Sequence, residues 1–114
     1  MKLYSYPACS TCRKALAWLR ENGIAVEPID ITARPPSLEE LRAGLEQWGR
    51  KRLFNTSGQS YRALGSAAVQ AMNDGQALAA LAADGKLVKR PYLITDTGQV
   101  LTGFKPEEWT VLLG

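Results

Sequence analysis

Two cysteines, Cys9 and Cys12, stand between a β-like run and a helix-like run, and this placement constrains the fold more than any other feature. Residues 2–6 alternate hydrophobic and polar side chains, which predicts a short strand. In residues 12–22 the apolar side chains recur at helical spacing, and Gly23 supplies a left-handed stop. The first cysteine therefore falls at or just before the helix N-cap, and the second lies in the first turn.

The middle of the chain combines one further strand with a long helical stretch. Residues 24–31 read as a second strand, and Pro28 favours an edge position because proline cannot donate to a ladder. A right-handed crossover makes this strand parallel to the first. The helical stretch spans about residues 37–84 and opens with a capping box between Ser37 and Glu40.

Later signals complete the order of elements. A break near residues 73–75 predicts a new helix capped by Asp74 and ended by Gly85. Residues 92–95 and 100–102 predict a hairpin, and a short helix follows over 106–113. The order βαβ, helices, ββα predicts an α/β, thioredoxin-like fold with a four-stranded mixed sheet and an inserted helical subdomain. We expect one domain over residues 1–114.

The position of the cysteines predicts unequal thiols. Free N–H groups and the positive end of the helix dipole favour a thiolate at Cys9, with Arg13 and Lys14 adding charge nearby. Cys12 shares the buried helix face, close enough to attack a sulfur attached to Cys9. We therefore interpret Cys9 as the nucleophile and Cys12 as the resolving thiol.

The same helix start predicts an anion site. The N–H groups from Ser10 and Thr11 to Arg13 can bind an oxyanion or a glutathione carboxylate beside the sulfur. Two other interpretations of the cysteine pair stay open, a pair of inert buried thiols and half of a metal site. The metal site would lack its usual further ligands, since the chain has no histidine.

Arg90 and Pro91 stand just before the predicted hairpin and face the start of the first helix in this connectivity. We expect a cis Pro91 and an Arg90 that holds an anion through a bidentate contact. The alternative is a solvated Arg90 with Pro91 beginning an edge strand. Lys89 is expected at the surface, and Asn55 is either a polar donor at the site or an ordinary turn residue.

Charge and composition limit the partners. The net charge is +3, and the one basic triplet, at residues 50–52, is interpreted as a solvated helix end. No stripe of the kind that binds nucleic acid is present, so we expect no direct nucleic-acid partner. No run reaches the roughly 18 apolar residues of a membrane span, and no leader is evident, which predicts a cytoplasmic protein. We expect a monomer with no bound cofactor and no metal.

An ordered set of motifs over essentially the whole chain resembles the arsenate reductase (ArsC)/Spx family. The motifs are Tyr6-Pro7-Ala8-Cys9-Ser10-Thr11-Cys12-Arg13-Lys14-Ala15, Leu53-Phe54-Asn55-Thr56-Ser57-Gly58, Tyr61-Arg62, Leu64-Gly65, Lys89-Arg90-Pro91 and Thr102-Gly103-Phe104-Lys105. The resemblance implies a thioredoxin-like fold with a helical insertion.

The resemblance also implies a chemistry. In glutaredoxin-coupled reductases of the family, the first cysteine attacks arsenate, glutathione joins the adduct and three arginines surround the oxyanion. Cys9 and Arg90 match two of these positions, whereas Asn55 stands about where one arginine is expected. Cys12 is typical of the Spx branch, whose members use the cysteine pair as a disulfide switch and bind the C-terminal domain of the RNA polymerase alpha subunit.

Two hypotheses result. The first is a thiol-redox enzyme in which Cys9 attacks an oxyanion or a disulfide and Cys12 resolves the adduct, with Arg90 steadying the anion. Glutathione or a dithiol reductant is its expected co-substrate, supplied with glutaredoxin or thioredoxin. The second is a redox-switched transcriptional regulator that binds the RNA polymerase alpha subunit.

Overall fold

The computed structural model describes residues 1–114 and contains one four-stranded mixed sheet in the order β2-β1-β3-β4. Strand β1 pairs in parallel with β2 and antiparallel with β3, which pairs antiparallel with β4. The predicted α/β, thioredoxin-like arrangement is confirmed, including the edge position of Pro28. The strands are β1 (Lys2–Ser5), β2 (Pro28–Asp30), β3 (Tyr92–Ile94) and β4 (Val100–Thr102).

Six α-helices and two 3₁₀ turns surround the sheet. Helix α1 begins at Ser10 with Cys9 as its N-cap, in agreement with the predicted placement of the first cysteine. Strand β2 is shorter than predicted and does not include residues 24–27. The helices are α1 (Ser10–Glu21), α2 (Leu38–Trp48), α3 (Gln59–Leu64), α4 (Ser66–Ala71), α5 (Asp74–Ala83) and α6 (Pro106–Leu113), and the 3₁₀ turns are Arg50–Arg52 and Gly85–Leu87.

Two helix starts test the predicted caps. The capping box of α2 is confirmed, since the Ser37 Oγ accepts from the Glu40 N–H at 3.1 Å and the Ser37 N–H donates to the Glu40 carboxylate at 2.9 Å. The predicted cap of α5 is wrong by one residue. Asn73, not Asp74, accepts from the Gln76 N–H at 2.8 Å. An extended residue whose side chain accepts from the third helical N–H is the N-cap, and Asp74 is already helical.

The sheet is buried on both faces by alternating side chains. Leu3, Leu93 and Leu101 point to one face, where α1 and α6 pack with Trp109 at the centre of six buried residues. The other face belongs to a core of thirteen buried residues that includes side chains of α2, α4 and α5. Burying both faces explains why so small a chain holds its sheet without a disulfide.

The basic triplet at residues 50–52 is not the solvated helix end that its composition predicts. It forms a 3₁₀ turn in which Arg52 donates to the Glu108 carboxylate at 2.9 Å and to the Thr102 carbonyl at 3.2 Å. Arg50 donates to the Met72 carbonyl. Two of the three cations therefore tie separate elements together. None of the helices is both long and apolar enough to cross a bilayer.

One end of the sheet gathers the loops that matter for function. Tyr4, Tyr92 and Thr102 lie in register across β1, β3 and β4. Strand β1 ends at this end of the sheet, β3 begins there and β4 ends there. The segments around Cys9, Arg90 and Gly103 are consequently neighbours, although they are far apart in the sequence.

Candidate active site

The sulfur of Cys9 is the acceptor at the start of α1. Cys9 is extended, with φ −90° and ψ 116°, and its Sγ accepts from the Cys12 N–H at 3.2 Å. A thiol in place of the usual serine or aspartate cap lies where the unpaired N–H groups and the helix dipole favour negative charge. The predicted position of Cys9 is confirmed, and both cysteines are free thiols.

The environment of Cys9 favours its thiolate. Partial burial alone raises the pKa of this thiol, but the Cys12 thiol, the Cys12 N–H and the guanidinium of Arg90 together outweigh that effect. The pKa of Cys9 is therefore lowered from its ordinary value. A lowered pKa at a half-buried sulfur that lines a cleft is typical of a nucleophilic cysteine.

Cys12 has the opposite environment. It is fully buried, and burial is the main reason that its pKa rises to about 11, with the neighbouring Cys9 sulfur adding to the rise. The Tyr6 backbone and the Ser5 hydroxyl act in the other direction. Cys12 is thus a protonated thiol at neutral pH next to the Cys9 sulfur, which fits the predicted division of roles.

Arg90 precedes β3, the strand next to β1, and lies beside Cys9 at the same end of the sheet. The Arg90–Pro91 peptide bond is cis, as predicted, and Pro91 is buried. The guanidinium lies over the Tyr6 ring at 5.3 Å and donates to the Lys86 carbonyl at 3.2 Å. Its Nε is buried without a hydrogen-bond partner, and no carboxylate pairs with it. Arg90 therefore keeps an unbalanced positive charge beside the sulfur.

Cys9 opens into a cleft of about 400 Å³. The cleft contains three cations and no aspartate or glutamate, which makes it a receptor for anions. No cluster of three or more His, Cys, Asp or Glu side chains is present. The lining residues are Cys9, Thr11, Asn55, Ser57, Gly58, Lys89, Arg90, Thr102, Gly103, Phe104 and Lys105.

The structure separates the predicted anion-binding residues into two groups. Thr11 and Asn55 line the cleft with Arg90. Ser10 is exposed at the start of α1 and does not line it. Arg13 donates to the Pro7 carbonyl at 3.1 Å and lines a separate hollow near β2. The extra positive charge predicted from Arg13 is therefore directed away from the cleft.

Asn55 combines both of the interpretations that the sequence left open. Its Oδ1 accepts from the Ser57 hydroxyl at 3.1 Å, which is ordinary turn chemistry. Its Nδ2 donates to the Lys86 carbonyl at 3.4 Å, the same oxygen to which Arg90 donates. Asn55 thus lines the cleft and donates to the same carbonyl oxygen as Arg90.

Two cations of the cleft were not predicted. Lys89, expected at the surface, is half-buried and lines the cleft because its aliphatic stem lies against Gly103. Lys105 lines the same cleft from the N-cap of α6. The signal that sequence reasoning missed is the glycine after β4, since a residue without a side chain leaves room for a long neighbour.

The sequence is similar to one protein family and to two proteins of Bacillus subtilis (strain 168). The ArsC family model matches residues 4–112. The Bacillus subtilis (strain 168) protein YusI, which is uncharacterised, is 45% identical over 112 residues, covering 96% of this chain and 94% of YusI. The regulatory protein MgsR of the same organism is 29% identical over 110 residues, covering 95% and 86%.

A solved structure extends the comparison. The crystal structure of a possible arsenate reductase from Streptococcus mutans UA159 superposes with a TM-score of 0.86 at 40% identity, covering 96% of each chain. The relatives thus include a protein named as a reductase and one named as a regulator. Both are similar to this chain over nearly its whole length, so the similarity alone does not distinguish the two roles.

Proposed function

The chain belongs to the ArsC family, and on that basis we propose that it is a thiol-based reductase whose Cys9 thiolate attacks an oxyanion or a disulfide. One observation carries the proposal: the Cys9 sulfur caps α1, accepts from the Cys12 N–H at 3.2 Å and opens into a cleft with three cations and no acidic side chain. A thiolate at the mouth of an anion receptor suits an electrophile that carries negative charge.

The first step uses the difference between the two thiols. Cys9, with its lowered pKa, supplies the attacking thiolate, while Cys12 stays protonated. With a disulfide, Cys9 attacks one sulfur, the S–S bond breaks and the first organic thiolate leaves. With an oxyanion such as arsenate, the Cys9 sulfur bonds to the central atom and displaces one oxygen as water.

The second step consumes Cys12. Its sulfur attacks the Cys9 sulfur, which forms the Cys9–Cys12 disulfide and releases the second organic thiolate, or returns the electron pair to the arsenic atom as arsenite. The protein loses two electrons and the substrate gains two. Arg90 steadies the anionic adduct throughout, and a dithiol or glutathione with its partner reductase returns the cysteines to the reduced state.

Single-cysteine variants test this sequence of steps. Cys9→Ser should abolish reduction of arsenate and of disulfides in an assay supplied with glutathione and glutaredoxin. In a single turnover with a disulfide substrate and no added thiol, Cys12→Ser should retain the attack but accumulate the Cys9 mixed disulfide, which mass spectrometry detects as the added mass of one organic thiol group. Full turnover by Cys12→Ser would show that Cys12 takes no part in the mechanism. If Cys9 reacts no faster than a free thiol, the assignment of Cys9 as the nucleophile is wrong.

A second function, a redox-switched regulator, is favoured by the similarity to MgsR, which is named a regulatory protein. The paired thiols would then act as a disulfide switch that controls binding to the RNA polymerase alpha subunit. Direct binding of the alpha C-terminal domain to the reduced and the oxidised chain tests this function. Absence of binding in both states rejects it, and turnover without binding assigns the chain to the reductases.

A further inference from the structure

The cations of the cleft are spread along the sheet edge, not gathered around the sulfur. Cys9 follows β1, Arg90 precedes β3 and Lys105 follows β4. Because neighbouring strands lie about 4.8 Å apart, the row from Cys9 to Lys105 extends over roughly 10 Å. Arg90 stands beside the sulfur and lowers the pKa of Cys9, whereas Lys89 and Lys105 line the same cleft and are not among the groups that shift this pKa. One small oxyanion bound at Cys9 and Arg90 leaves these lysines without a ligand.

Lys89 is held in place by its surroundings. Its N–H donates to the Leu53 carbonyl at 2.7 Å, and the buried Thr102 hydroxyl donates to its carbonyl at 3.2 Å. Gly103 has φ +73°, and a Cβ at this residue would lie only 2.9 Å from Lys89 Cε. The glycine thus provides the surface on which the lysine stem lies, and Lys89 lines the cleft from this position.

No acidic side chain balances the two lysines. Neither Lys89 nor Lys105 forms an ion pair. The acidic residues nearest to Lys105 in the sequence are Glu107, which is exposed, and Glu108, which is already paired with Arg52 at 2.9 Å. The acidic residue nearest to Lys89 is Asp84, whose carboxylate accepts from the Lys86 N–H at 3.0 Å. Two unpaired ammonium groups lining a cleft beside a nucleophile suit carboxylates that are attached to the substrate, at some distance from the reacting sulfur.

The size of the cleft also suits an organic substrate that carries carboxylates. About 400 Å³ is within the range of pockets that hold organic ligands of 300–1,000 Å³. Phe104 adds an apolar surface to the cleft, suited to the carbon chain of such a ligand. A tetrahedral oxyanion fills only a small part of this space.

We infer that the substrate is a small organic disulfide bearing carboxylates, and that Lys89 and Lys105 determine this specificity by binding the carboxylates. The inference deepens the proposed function and rests on it. Cys9 attacks one sulfur of R–S–S–R and releases one thiolate, and Cys12 then attacks Cys9 and releases the other. The Cys12 proton ends on one of the two organic thiols, the other organic thiolate takes a proton from water, and the Cys9–Cys12 disulfide holds the oxidising equivalents.

The test compares disulfides that differ in charge. The reduced protein is mixed at low ionic strength with oxidised glutathione, with neutral 2-hydroxyethyl disulfide and with cationic cystamine, and formation of the Cys9–Cys12 disulfide is followed by mass spectrometry. We expect oxidised glutathione to react about tenfold faster than the neutral disulfide after correction for leaving-group pKa, and cystamine to react slowest.

Charge-removing variants assign the effect to residues. Lys89→Gln and Lys105→Gln should each slow the reaction with oxidised glutathione about threefold or more while changing the neutral reaction less than twofold. Lys51→Gln, which removes an exposed lysine outside the cleft, is the matched control. Gly103→Ala should have the effect of Lys89→Gln, because it displaces the lysine stem, and Lys89→Gln keeps the test valid if Gly103→Ala does not fold.

The outcomes separate this inference from the proposed function. Equal rates with all three disulfides, or an equal loss with charged and neutral disulfides in Lys89→Gln, would overturn the carboxylate specificity and leave the reductase intact. A wild-type protein that reduces arsenate but reacts with none of the disulfides would overturn the inference alone, and one that reacts with neither arsenate nor the disulfides would overturn both. A preference for oxidised glutathione that disappears in the two lysine variants and persists in Lys51→Gln supports the inference.

Discussion

Arg52 and Arg90 occupy similar settings but have different partners. Each lies over an aromatic ring, at 4.5 Å from Trp48 for Arg52 and 5.3 Å from Tyr6 for Arg90. Each has a buried Nε without a hydrogen-bond partner. Arg52 pairs with the Glu108 carboxylate at 2.9 Å, whereas the Arg90 guanidinium has no carboxylate partner and donates to the Lys86 carbonyl at 3.2 Å.

The difference shows how one residue type serves structure in one place and chemistry in another. The charge of Arg52 is neutralised within the protein, so its donors join α6 and β4 to the 3₁₀ turn. The charge of Arg90 is not neutralised by a carboxylate, and the guanidinium lies beside the Cys9 sulfur, where it favours the thiolate. The missing counterion, more than burial or stacking, distinguishes an arginine that is ready to bind an external anion.

The largest expected effect is on stability. Arg52→Ala should lower the free energy of unfolding by about 2–3 kcal/mol, because it leaves Glu108 half-buried without a partner and the Thr102 carbonyl without its donor. Arg90→Ala should change it by less than about 1 kcal/mol. Urea denaturation of the reduced proteins measures both values, and equal losses would contradict the comparison.

The next effect is on reactivity. Arg90→Ala should slow alkylation of Cys9 at pH 7 about three- to tenfold, because one of the groups that lower the pKa of Cys9 is lost while the opposing effect of burial stays. Peptide mapping follows Cys9 alone. Arg52→Ala is the matched control and should alkylate at the wild-type rate.

The pH dependence of Cys9 alkylation shows whether Arg90 acts through the pKa of Cys9. A thiol reacts as its thiolate, so raising the pKa of Cys9 reduces the reactive fraction only below that pKa. The rates of wild type and Arg90→Ala should therefore differ most near neutral pH and converge at alkaline pH, where both thiols are ionised. A difference that persists at high pH would mean that Arg90 acts on access to the sulfur and not on its charge.

The comparison also marks the limit of sequence reasoning. The strand-to-helix position of Cys9 follows from local periodicity and capping, which neighbouring residues determine. The pairing of Arg52 with Glu108 joins residues 56 positions apart, and nothing near the triplet indicates it. The placement of Lys89 depends likewise on Gly103 across the hairpin. Contacts between distant segments decide which cations stay free, and composition does not reveal them.

A smaller effect is expected when Arg52 is made to resemble Arg90. Glu108→Gln removes the counterion and keeps the side-chain shape, so it should lower the free energy of unfolding by about 1 kcal/mol at low salt. Part of that loss should return with added phosphate, which can pair with the freed guanidinium. Glu107→Gln, an exposed neighbour on α6, is the control and should shift stability by less than about 0.5 kcal/mol.

The smallest effect tests whether Arg90 acts by charge alone. Arg90→Lys keeps the positive charge beside Cys9 but loses the planar donor set that bonds the Lys86 carbonyl and stacks on Tyr6. Alkylation of Cys9 at pH 7 should then slow only about twofold, less than in Arg90→Ala, because most of the electrostatic contribution to the pKa survives. Reduction of an anionic substrate should fall further than alkylation, since a lysine cannot hold a carboxylate or oxyanion by two parallel bonds. Equal losses in the two reactions would show that Arg90 stabilises the thiolate and does not bind the substrate. The free donors of Arg90 would then no longer be the property that distinguishes it from Arg52.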